Sequence, residues 1–123
     1  MSAGGQVFSW NMPLDLTRFV SIRPRLFHLT ARDNAAHILS QRRLRPASDL
    51  LNEAGLSHLL GVRRRESLAI ESNGHRISIR DQAPLHRGNV ALADGWQFQD
   101  LVGHLNCHVF FWPGKHHLPI AHG

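Results

Sequence analysis

The sequence predicts a small α+β domain. Three observations carry that expectation: a two-residue hairpin signal at Asn73-Gly74, an amphipathic stripe at Phe98, Leu101, Val102 and Leu105, and short apolar segments punctuated by proline and glycine. A length of 123 residues suits one hydrophobic core, and 42% apolar with 19% charged residues argues for a packed chain. Residues 1–12 read as a flexible small and polar lead-in, 13–112 as a single domain, and 113–123 as a tail containing His, Pro and Gly.

The elements follow in order. Pro13 and Asp15 suit a first helical turn, and Leu14, Leu16, Phe19 and Val20 form a stripe, so a short helix is expected over 13–21. Arg25 to Thr30 alternates as a strand that would put His28 and Thr30 on one face. Asp33 or Asn34 can cap a helix that runs out at Arg42-Arg43, and Ser48 can cap another from Asp49 to Ala54, closed by Gly55. Leu56, Leu59 and Leu60 continue an apolar turn before the triplet Arg63, Arg64 and Arg65. The segments 67–72 and 75–80 then alternate around Asn73-Gly74, whose residue types tolerate the positive φ of a type I′ turn. Leu68 and Ile70 should pair with Ile77 and Ile79 on the buried face, leaving Arg76, Ser78 and Arg80 outward. Residues 81–96 read as loop, the stripe from Phe98 as a helix, and His108 to Trp112 as a strand stopped by Pro113-Gly114.

The formal net charge is +5, and thirteen of the fourteen cations are arginine, Lys115 being the one lysine. Guanidinium groups match phosphate geometry, which keeps a nucleic-acid partner among the expectations beside a simple solubility role. No apolar run reaches the roughly 20 residues that span a bilayer, and the first residues lack a signal-peptide pattern, so a cytoplasmic protein without membrane contact is expected. The single cysteine, Cys107, excludes internal disulfides and multi-thiolate metal sites.

Ten histidines invite a metal reading at His104, Cys107 and His108, with His116 and His117 beyond. No carboxylate follows Asp100, and the expectation is no metal site. Phosphate-binding glycine loops and the Gly-x-Ser-x-Gly elbow are missing from the sequence, and Cys107 and His108 are neighbours that would point to opposite sides of a strand. The three glutamates, Glu53, Glu66 and Glu71, select no catalytic pair, so the catalytic residues are unknown.

Taken together, Leu26-Phe27-His28-Leu29-Thr30, the helix from Asn34-Ala35-Ala36 to Ile38-Leu39, the arginine cluster before a hairpin, Ile79 to Leu85, and Leu105-Asn106 to Val109-Phe110-Phe111-Trp112 resemble the DUF7002 group of bacterial proteins. The opening strand and helix are also similar, at greater distance, to ADP-ribosyltransferase-like domains of the DNA-modifying toxin type. That resemblance implies the N-terminal half of an ADP-ribosyltransferase-like fold with NAD as cofactor. His28, Leu29 and Thr30 would hold the ribose and nicotinamide, Arg64 and Arg65 of the triplet the pyrophosphate, and Phe110 and Trp112 of the aromatic segment the nicotinamide ring. Such transferases carry a late glutamate, whereas residues 101–123 contain no acidic side chain. The first function expected on this resemblance is an NAD- or nucleotide-binding, catalytically impaired relative. The second is an active ADP-ribosyltransferase acting on nucleic acid or protein. The third is a small basic interaction domain that dimerises, or pairs with a partner, through an exposed sheet edge.

Overall fold

The computed structural model describes residues 13–115 and 118–119. The chain is a small α+β protein with short helices and two small antiparallel sheets. The described residues divide into two compact units, 13–29 with 110–115 and 118–119, and 30–109.

In the first unit, helix α1 (Leu16–Ile22) begins later than proline alone suggests, because the Asp15 carboxylate accepts from the Arg18 backbone N–H at 3.0 Å and becomes the cap. Strand β1 (Arg25–Phe27) pairs antiparallel with β4 (Trp112–Lys115), in the register Arg25 with Gly114, Leu26 with Pro113 and Phe27 with Trp112. β4 also pairs with β5 (Leu118–Pro119). The strand expected over His108 to Trp112 therefore starts where it was expected to end. Pro113 stands opposite Leu26 in the β1–β4 ladder, and the described β4–β5 pairs are Gly114 with Pro119 and Lys115 with Leu118. Likewise β1 stops at Phe27, short of His28 and Thr30, because its last partner is Trp112. Among residues 13–29 and 110–114 only Gly114 is buried.

The second unit holds the packed core. After a 3₁₀ turn at Arg32–Asn34 come α2 (Ala35–Gln41), which ends with Arg42 in the left-handed region at φ 54°, and α3 (Ala47–Glu53), followed by Gly55 at φ 75°. Pro46, extended at ψ 156°, precedes α3, and Ser48 is buried inside the helix instead of capping it. A 3₁₀ turn at Ser57–Leu59 leads to the hairpin of β2 (Leu68–Ser72) and β3 (His75–Ile79). Asn73 at φ 51° and Gly74 at φ 78° make the expected turn, and Leu68 pairs with Ile79 and Ile70 with Ile77. Ile70, Ile77 and Ile79 pack with Leu51 of α3 as the buried cluster. The loop from 81 contains a 3₁₀ turn at Arg87–Asn89, and α4 (Phe98–Asn106) buries Val102 and Asn106.

The end of α3 is tied by charge to the segment before the helix and by a hydrogen bond to the hairpin. Arg45 Nη2 lies 2.6 Å from Glu53 Oε2, and the Ser72 hydroxyl donates to the other carboxylate oxygen. These bonds, Arg45 first and Ser72 second, hold the Glu53 carboxyl below the usual glutamate range.

Candidate functional site

The residues expected to bind a dinucleotide fall into different surroundings. In the first unit His28 Nδ1 lies 3.0 Å from the Phe110 carbonyl oxygen, and its ring sits 5.8 Å from that of Phe111. Trp112 is opposite Phe27 in the ladder, and Leu29 is exposed. Thr30 belongs to the second unit, where its hydroxyl accepts from Asn34 Nδ2 at 2.9 Å. Among the described residues of the first unit, nine large apolar side chains are exposed: Leu14, Leu16, Val20, Ile22, Leu26 and Leu29 from its opening segment, then Phe110, Phe111 and Trp112.

The arginine triplet is divided by its hydrogen bonds. Arg63 donates from Nη2 to the Ala83 carbonyl at 2.6 Å. Arg64 is the member turned inward. Its Nε donates to the Arg80 carbonyl at 2.9 Å and its Nη1 to Asn106 Oδ1 at 2.9 Å, while backbone and side chain of Gln82 bond its own backbone. Burial lowers the Arg64 pKa and the Asp81 carboxylate opposes that, yet a guanidinium stays charged at neutral pH. Arg64 therefore holds the 80–82 segment against α4, with its guanidinium engaged by partners within the protein. Arg65 is exposed. Sequence reasoning missed the polar centre of this network: Asn106, 2% exposed, also donates to the Leu60 carbonyl at 2.8 Å. Its placement four residues after Val102, on the apolar side of α4, is the signal that marks a buried polar residue.

An open groove of about 830 Å³ in the same unit is lined by Val62, Trp96, Asp100, His104 and Cys107 among others. The His104 ring stands edge-on to Trp96 and 4.6 Å from that of His108. Among the described residues no group of three or more His, Cys, Asp and Glu side chains could hold a metal ion, and no helix is long and apolar enough to cross a membrane.

The hairpin edges differ from one another. A two-residue turn makes Ser72 and His75 a hydrogen-bonded pair, so the alternation leaves Ala69–Ser78 and Glu71–Arg76 as pairs whose backbone groups point outward. Asn34 verifies this at Ser78: its Oδ1 accepts from the Ser78 N–H at 2.9 Å, and its Nδ2 donates to the Ser78 carbonyl at 2.8 Å. Asn34, read from sequence as a helix cap, thus acts as a one-residue substitute for a third strand and closes the middle of the β3 edge. On β2 the corresponding groups of Ala69 and Glu71 point away from β3, both residues are exposed, and among the described residues no strand pairs with that edge.

The family model described as "Family of unknown function (DUF7002)" matches residues 24–121. The chain belongs to DUF7002. No curated protein and no solved structure matches it. Those findings correct the more distant resemblance: the descriptions ADP-ribosyltransferase-like, NAD- or nucleotide-binding and toxin-like have no support in DUF7002 membership and are withdrawn.

Proposed function

We propose that this DUF7002 protein is a small basic interaction domain that binds by strand addition at the outer edge of β2. The observation that supports this reading best is the asymmetry of the hairpin: Asn34 satisfies Ser78 on one edge, while Ala69 and Glu71 present backbone donors and acceptors on the other. Unpaired edge groups are a template for an added strand, and alternate side chains then supply selectivity. The exposed apolar side chains among the described residues of the first unit are a second sign of a protein that associates.

The test is amide hydrogen exchange on the full chain, titrated with a short acetylated peptide alternating Val and Thr. Exchange at Ala69 and Glu71 should slow by about tenfold at saturation, with Ser78 unchanged. Unchanged exchange at both β2 amides under saturating peptide would overturn the proposal.

A further inference from the structure

We infer that the strand completing the β2 edge is β2 of a second copy of this chain, antiparallel and centred on Ala69. This rests on the edge reading above and adds the identity of the partner.

The register follows from which groups are available. Outward backbone groups recur at every second residue of β2, so Ala69 and Glu71 carry them, and Ser67, immediately before the strand, is the next position in that alternation. A two-fold axis requires one of these residues to face itself. Glu71 facing Glu71 would set two carboxylates directly opposite, which is unfavourable. Ser67 facing itself would leave Glu71 beyond the paired stretch. Ala69 facing Ala69 engages all three residues of each copy and places only two methyl groups at the centre.

In that register Glu71 faces Ser67 of the second copy, and Arg65, at the bend two residues before Ser67, is near enough along the chain for its long side chain to meet that carboxylate. Arg65, Ser67, Ala69 and Glu71 are all exposed in the single chain, so this face is open to receive its counterpart. Because the contact is isologous, the Glu71 to Arg65 pairing occurs twice. Glu71 keeps its intramolecular neighbour Arg76, which is opposite it in the hairpin. On the other face, half-buried Leu68 comes beside Ile70 of the second copy and extends the apolar row of the hairpin.

Sedimentation of the full chain across a concentration series tests the inference. The expected result is a concentration-dependent dimer that Ala69→Pro converts to monomer, with the melting temperature unchanged at dilutions where the wild-type chain is itself monomeric, since the Ala69 N–H takes no part in the hairpin. Arg65→Glu and Glu71→Arg should each weaken the dimer about fivefold, and the two together should restore it. A wild-type chain that stays monomeric at high concentration yet binds the Val/Thr peptide overturns self-pairing while leaving the edge reading in place. A dimer that survives Ala69→Pro, or charge reversals that fail to compensate, overturns the inference as well.

Discussion

Arg64 Nη1 donates to Asn106 Oδ1 at 2.9 Å, and this bond joins the arginine triplet to the buried side of α4. Asn106 also accepts from Gln82 and donates to Leu60, so one amide serves three segments. Asn106→Leu would leave the guanidinium, the Gln82 amide and the Leu60 carbonyl without that partner. The expected loss is about 3 kcal/mol in urea unfolding, whereas Arg65→Ala in dilute solution should stay within about 0.5 kcal/mol. Equal effects of the two substitutions would contradict the inward role of Arg64.

Asn34 carries a separate expectation. Asn34→Ala removes both bonds to Ser78 and should cost about 2 kcal/mol, with faster exchange of the Ser78 amide. Asn34→Asp keeps the acceptor for that amide but loses the donor to the carbonyl. Its Ser78 exchange should remain slow although stability falls.

Stability should depend on acid through Glu53. Its folded pKa is depressed, so its contribution is fully present above the ordinary glutamate value of about 4.3 and is lost as pH falls through the lower folded value. Denaturation curves from neutral pH into that acid range should show the loss, and Glu53→Gln should flatten it. A variant that retains the wild-type slope would assign the acid sensitivity to other carboxylates.

At the hairpin turn, Gly74 has φ 78° and open space where a Cβ would be. Gly74→Ala therefore meets no neighbour, and its cost of about 1 kcal/mol is conformational. Asn73→Gly should be tolerated, because φ 51° is available to glycine at no steric cost. Thermal unfolding of the two variants checks the order.

Local chemistry made much of the secondary structure legible. The Asn73-Gly74 turn, the register of Ile70 with Ile77 and the amphipathic stripe of α4 all follow from neighbours a few residues apart. Boundaries set by distant partners were not legible in that way. β1 ends at Phe27, whose partner Trp112 is the first residue of β4, and β4 passes through Pro113, which lies opposite Leu26. His28 and Thr30 consequently do not share a strand face.

The candidate site divides along the same line. The sequence by itself determined a basic α+β chain with an alternating hairpin, since composition and short-range periodicity are properties of the linear order. Only the tertiary structure decided that Arg64 turns inward, that Asn106 anchors it, and that Asn34 closes one hairpin edge while Ala69 and Glu71 leave the other open. The physical reason is that a polar group's partner depends on what folding brings within about 3 Å, and the partners of Asn34 and Asn106 lie 44 and 42 residues away in the chain.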